Sequence, residues 1–126
     1  MAHDYQSDVS SIIGVPWDTT EKKSLPTTDG IRLAGGANWV EATYLYADLA
    51  NSSRMAKEFD RRITAKIIKS FLQSATFLVG ENGGRVISFD GDRILGVFTN
   101  SSKNTSAVKC GLQLNWVVTQ AIRPAF

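Results

Sequence analysis

Up to about residue 37 the chain is rich in Ser, Thr, Asp and Gly, shows no apolar period, and is broken by Pro16 and Pro26. That pattern predicts a mobile leader or dimer arm over 1–37, closed by Gly35 and Gly36, in which Trp17 alone calls for burial. From Trp39 to Ala50 the spacing becomes strand-like. Val40, Ala42, Tyr44 and Tyr46 alternate with Thr43, Leu45 and Ala47. Apolar side chains on both sides predict a central strand, or one at an interface. Asn51-Ser52-Ser53 supplies helix-start chemistry for a short helix through Met55, Ala56 and Phe59.

Residues 61–79 carry the clearest helical period, through Ile63, Ile67, Phe71 and Leu78, with Arg61, Arg62, Lys66, Lys69 and Gln73 on a polar face. Glu81-Asn82-Gly83-Gly84 stops it. Arg85–Phe89 and Arg93–Thr99 read as a hairpin turning at Asp90-Gly91. Ser101–Ser106 is a polar loop, and Ala107–Ile122 returns to helical spacing until Pro124 ends it. The expected order is β-α-α-β-β-α over 38–126, and no repeat is visible.

Composition bounds the class. The 126 residues are 43% hydrophobic and 21% charged, a globular balance for one domain. A net charge of +2 gives no bulk attraction for a nucleic acid polymer. Cys110 is alone, so no intrachain disulfide forms, and it reads as a packed thiol. No apolar run approaches the ~20 residues of a membrane span, and the first residues lack a secretion signal. The expected location is cytoplasmic. His3, the only histidine, lies in the leader, which argues against a histidine triad or zinc site.

Chemistry concentrates where two apolar strands meet turns, at Asp48 and Asp92. Two carboxylates brought together by a sheet suit divalent cations and a nucleoside triphosphate. Taken singly, each acid reads as a turn former or a solvent-facing cap; as a pair they read as a site. Asp90 is expected to be the turn residue. Arg93 follows the second acid and is expected to leave the metal side of its strand, as surface charge or as a dimer or substrate contact. Trp39 and Trp116 are expected in the core or an interface.

Tyr46-Ala47-Asp48, then Gly83-Gly84-Arg85, Gly91-Asp92 and Gly96-Val97-Phe98, together resemble the first half of a class III nucleotidyl cyclase catalytic domain. Order and spacing match from Tyr44 to Phe98. The resemblance implies an α+β, ferredoxin-like (palm-type) fold: an antiparallel sheet with helices packed on one face, the hairpin central, and the Asp48 strand beside it. It implies two divalent metal ions, Mn2+ or Mg2+, held by Asp48, Asp92 and the backbone carbonyl of Leu49. It also implies a phosphate-facing loop over Leu49, Ala50, Asn51, Ser52 and Ser53, where Asn51-Ser52 can equally be a helix cap.

Two departures refine that picture. The family's purine-reading lysine, four residues before the second acid, is replaced here by Ser88, and the aromatic four residues after Asp48 by Ser52. The run Leu45 to Ser53 looks like that of the bacterial pyrimidine cyclases of the Pycsar anti-phage systems. This resemblance implies conversion of UTP to its 3′,5′-cyclic monophosphate, Tyr46 at the base or packed under the metal loop, Ser88 in the base pocket, a homodimer, and a downstream effector that senses the cyclic nucleotide. Cytidylate or purine cyclisation is the alternative within the family. The second departure is that the sequence stops before the strands carrying the family's asparagine–arginine pair. This is expected of a domain lacking its C-terminal portion, inactive alone, or of a non-catalytic module that binds nucleotide or dimerises. A diguanylate-cyclase relative fits poorly, because Phe89-Asp90-Gly91-Asp92 does not match its hairpin signature.

Overall fold

The computed structural model describes residues 2–27, 30 and 35–126. Contacts divide the chain into two units, Met1–Glu41 and Ala42–Phe126. In the first, helix α1 (Tyr5–Gly14) is capped by Asp4, whose Oδ1 accepts from the Ser7 N–H at 3.0 Å. Strands β1 (Asp18–Lys22) and β2 (Gly36–Val40) pair in parallel, from Asp18 opposite Gly36 to Lys22 opposite Val40. The expected leader therefore contains a helix and a strand pair; its positions 1, 28, 29 and 31–34 lie outside the described residues. Trp17 is exposed, against expectation. The single strand expected over Trp39–Ala50 is two strands, because Trp39 belongs to β2 and a new strand starts at Thr43.

The second unit has the expected order. It runs β3 (Thr43–Asp48), α2 (Ser52–Glu58), α3 (Arg61–Glu81), β4 (Arg85–Asp90), β5 (Arg93–Phe98) and α4 (Lys103–Val117). The three strands form an antiparallel sheet in the order β3-β5-β4. β5 is central and β3 lies at an edge, not in the middle as the apolar run suggested. Its burial alternates strictly: Thr43, Leu45 and Ala47 are half-buried, while Tyr44, Tyr46 and Asp48 are exposed. The two tyrosines made the strand look buried on both sides, yet they stand on its open face.

Helices α3 and α4 cover the other face. Thr64, Ile67, Phe71, Ala75 and Val79 form the buried stripe of α3, so Ile63, expected inside, lies off it. Ile67, Phe71, Ala75, Ile94, Leu114 and Ile122 make one core cluster, and Val79, Phe98, Ala107 and Cys110 a second. Burying a side chain such as Phe98 contributes about 1.5–3 kcal/mol. Asn82 ties α3 to α4, its amide donating to Leu78 O and Gln113 Oε1, both at 2.8 Å. Burial raises the Cys110 thiol's pKa, with a hydrogen bond from Asn82 opposing.

Both ends of the last helix differ from expectation. α4 begins at Lys103, inside the stretch read as a polar loop. Its first turn does not reach the core, which starts at Ala107, so no apolar period marks it. At the other end a π-turn spans Val118–Ile122, with the Arg123 N–H bonded to Val118 O, and α5 (Arg123–Ala125) follows. Pro124 thus sits inside that last turn rather than ending the helix, and the wider turn accommodates a residue that cannot donate. Trp116 and Trp39 are exposed, not core.

Glycines allow close approach at one point that matters. A Cβ on Gly84 would lie 2.6 Å from Phe98 Cε1, whose ring is 0% exposed. Gly84→Ala is expected to cost about 1–3 kcal/mol by overpacking. Gly80→Ala, with nothing within 4 Å of the added carbon, should instead gain about 0.5–1 kcal/mol from helix propensity. Urea unfolding of both variants reads the contrast, and equal effects would mean the Phe98 ring has room to move.

Candidate active site

The carboxyl-bearing residues are brought together by strand register. Asp48 ends β3 and stands opposite Arg93, the first residue of β5. Asp92 immediately precedes it, and the Leu49 N–H donates to Asp92 O at 3.3 Å. The two acids, 44 positions apart in the sequence (92 − 48), therefore meet at one end of the sheet, on the chain segments that leave β3 and enter β5.

The turn between β4 and β5 sets this arrangement. Asp90 pairs with Arg93, so the central residues are Gly91 and Asp92, one step later than the expected Asp90-Gly91. Gly91 has φ +62°, as a two-residue hairpin with glycine first requires. Asp90 is thus the flank of the turn and not its centre. The one-residue change also reverses a face: Arg93 points to the same side as Asp48, with its Nε 3.5 Å from Asp48 Oδ2. The expectation that Arg93 leaves the metal side is corrected. Gly91 at the first central position was the signal in the sequence.

Asp92 is held by a further group. Ser52, the first residue of α2, donates its hydroxyl to Asp92 Oδ2. That hydrogen bond is the main reason the Asp92 carboxyl titrates below its usual range; partial burial opposes it, while contact with Asp48 and the Arg93 charge add to it. Ser52 is therefore not a helix cap, and Asn51, at the cap position, makes no side-chain capping bond. Asn51 instead takes the left-handed conformation, φ 63° and ψ 24°, which turns the chain from β3 into α2. Leu49 packs against the core, which fixes the loop's backbone. Ala50 and Ser53 are exposed beside it.

On the open face, three rows run across the sheet. Asp48, Arg93 and Asp90 form the end row; Tyr46, Leu95 and Ser88 form the next; Tyr44, Val97 and Arg85 the third. A bulge between Val86 and Ser88 makes this possible. Val86 packs toward the core, and the extra residue re-aims Ser88 to the open side. Tyr46 and Ser88 thus share a row, two strands and roughly 10 Å apart. The Arg93 guanidinium is held more firmly protonated, first by a hydrogen bond with Tyr46 and then by the charge of Asp48.

Among the described residues no group of three or more His, Cys, Asp or Glu is placed to hold a metal ion. The donor set is two adjacent carboxylates, which suits a hard cation that keeps waters and takes further oxygens from a phosphate ligand. A cavity of about 390 Å3 opens on the other side of the loop, lined by Leu49, Met55, Phe59, Ile63, Ile67 and Ile122 among others. Its walls are largely apolar and neither acid lines it, so it does not suit a triphosphate. No helix among the described residues is long and apolar enough to cross a membrane.

No protein-family model matches the chain. Curated relatives do. A uridylate cyclase of Rhodovulum sp. (strain MB263) is 50% identical over 123 residues, covering 98% of this chain and 51% of the relative. A uridylate cyclase of Burkholderia cepacia is 36% identical over 127 residues, covering 99% and 56%. One of Xanthomonas perforans is 34% identical over 109 residues, covering 86% and 47%. The chain spans about half the length of the curated relatives it matches. Among solved structures, a bacterial light-regulated adenylyl cyclase superposes with a TM-score of 0.61 at 20% identity, over 64% of this chain and 42% of the other. A dimeric guanylyl cyclase domain from the fungus Blastocladiella emersonii gives 0.54 at 12% identity, over 65% and 51%. These likenesses establish the palm-type fold expected from the sequence.

Ser52 yields a pH-dependent prediction. With its folded pKa below the unfolded one, Asp92 adds stability above about pH 4, and that stability is lost as pH falls through the folded pKa. Ser52→Ala is expected to cost about 0.5 kcal/mol at neutral pH, the low end for a hydrogen bond because water screens it. The gap from the parent should narrow below about pH 4. Any helix-propensity change is independent of pH, so thermal melts across pH isolate the bond. A gap constant with pH would remove it from the account.

Proposed function

We propose that this chain, 50% identical over 98% of its length to a uridylate cyclase of which it spans about half, belongs with the uridylate cyclases it resembles and supplies the cation-holding half of a site that cyclises UTP to 3′,5′-cyclic UMP. The observation that carries this reading is the convergence of Asp48 and Asp92 at the end of β3 and β5, within a chain 50% identical to such an enzyme over nearly all its length. In the reaction the ribose 3′-oxygen bonds to the α-phosphorus, the bond from that phosphorus to the β-phosphate bridging oxygen breaks, and pyrophosphate leaves. The 3′-hydroxyl proton passes to solvent.

Asp48 and Asp92 would hold the cations, with the Leu49 carbonyl as a further donor. Bound Mg2+ or Mn2+ supplies acidification of the hydroxyl and charge neutralisation on the departing phosphates. Ser52 aims Asp92 and favours its ionised form, because a hydroxyl donates more strongly to a carboxylate than to the neutral acid. After Leu49, whose N–H is already bonded to Asp92 O, Ala50, Asn51, Ser52 and Ser53 present backbone N–H groups to the phosphates, with side chains small enough to let the backbone approach. Tyr46 takes the edge of the base from β3, and Ser88 faces it from β4 in the same row. A short hydroxyl at Ser88 leaves a purine-reading lysine out and gives Tyr46 the longer reach. Uridine over cytidine rests on the relatives' names.

Stabilisation of charge on the transferring phosphorus is worth several orders of magnitude in rate. We assign it to groups outside residues 1–126, in a homodimer of the whole protein, in keeping with the half-length match. The product's use by a cyclic-nucleotide-sensing effector in anti-phage defence, and a cytoplasmic setting, belong to the same proposal.

The test is product identification after the full-length protein meets all four ribonucleoside triphosphates with Mn2+. Cyclic UMP and pyrophosphate are expected, with Asp92→Ala or Asp48→Asn lowering turnover on the order of a thousandfold. Cyclic CMP or a cyclic purine nucleotide would move the base assignment. Nucleotide-induced thermal stabilisation without any cyclic product would overturn catalysis in favour of a binding module.

A further inference from the structure

Arg93 is the cation already beside the proposed metal carboxylates. Its Nε lies 3.5 Å from Asp48 Oδ2, and the two side chains are 47% and 49% exposed, so neither is locked by packing. Register brings the two side chains within reach, since Asp48 and Arg93 are directly paired in the ladder. Asp90 is Arg93's partner on the other strand, and Tyr46 stands one row further along the same face. A long side chain at the first position of β5 therefore reaches both Asp48 and the row that contains Tyr46 and Ser88.

One carboxylate oxygen cannot serve a guanidinium and a divalent ion fully at the same time. Two positive charges on one carboxylate also repel at close range. We propose that Arg93, shared between Asp48 and Tyr46, is a resident counter-cation that offsets the paired acids before a metal arrives, and that it gives up Asp48 and keeps Tyr46 when one binds. The inference rests on the metal reading above and adds a positioning role to it. Metal loading at the end row is thereby coupled to the placing of a positive charge in the next row. Coupling of this kind is reciprocal: whatever holds Arg93 at Tyr46 must favour metal at Asp48 by the same factor.

Calorimetric titration of the nucleotide-free chain with Mn2+ tests the inference without any activity readout. Arg93→Gln should bind Mn2+ roughly two- to tenfold more tightly than the parent at low salt, with the difference shrinking at high salt. Arg93→Lys, which keeps the charge, should stay near the parent value. Tyr46→Phe removes the alternative anchor, so Mn2+ affinity should fall in the parent background and not change in the Arg93→Gln background. Equal or weaker binding by Arg93→Gln, or a Tyr46→Phe effect that persists without Arg93, overturns the coupling while leaving the metal site intact. Absence of Mn2+ binding in parent and variants alike overturns the metal reading and this inference with it.

Discussion

The antiparallel register of β3 on β5 is the constraint from which the site follows. It sets Asp48 against Arg93 and carries Asp92 to the same end. A slip of one residue would turn Tyr44, Tyr46 and Asp48 into the helix-covered face and expel Leu45 and Ala47. The register is defended on the buried side. Ala47 lies opposite Ile94 and Leu45 opposite Gly96, and Ile94 is 2% exposed within the main core cluster. Gly96 lets Val79 of α3 close on the sheet, since an added Cβ there would come within 3.0 Å of the valine's Cγ2. Apolar packing on one face thus specifies polar geometry on the other.

Much of this was legible in the residues. The element order of the second unit, its antiparallel hairpin, the helix over 61–79 and the meeting of Asp48 with Asp92 all appear in the chain's pattern. What the pattern hid has physical causes. Tyr44 and Tyr46 count as apolar in a periodicity reading, yet they stand exposed on an open face, which made an edge strand look central. The first turn of α4 touches no core, so only the caps could have marked it. Arg93 was assigned to the wrong side by one residue of turn placement, and Gly91's positive φ is what a II′-like hairpin needs at that position. The bulge that re-aims Ser88 leaves no reliable mark in sequence.

The end row sets like charges close together and offsets them locally. Three acids, Asp48, Asp90 and Asp92, gather at the strand ends near one guanidinium. Like charges so placed repel. The sheet keeps them by local means: the Ser52 hydroxyl on Asp92, Arg93 against Asp48, and a half-exposed position where water screens the repulsion. The structural cost is small because none of the three is buried.

The sheet therefore separates two kinds of requirement by face. Its helix-covered side carries Val86, Ile94, Gly96 and Phe98, where volume decides the outcome and chemistry is irrelevant. Its open side carries Asp48, Tyr46, Ser88 and Arg93, where chemistry decides and volume is nearly free, since each is exposed. Because strand residues alternate between the faces, the two requirements interleave along the chain at every second position. That interleaving explains why a stretch such as Tyr44 to Asp48 reads ambiguously by periodicity. It also leaves Tyr46 and Ser88, both exposed, free to change without disturbing the core one residue away.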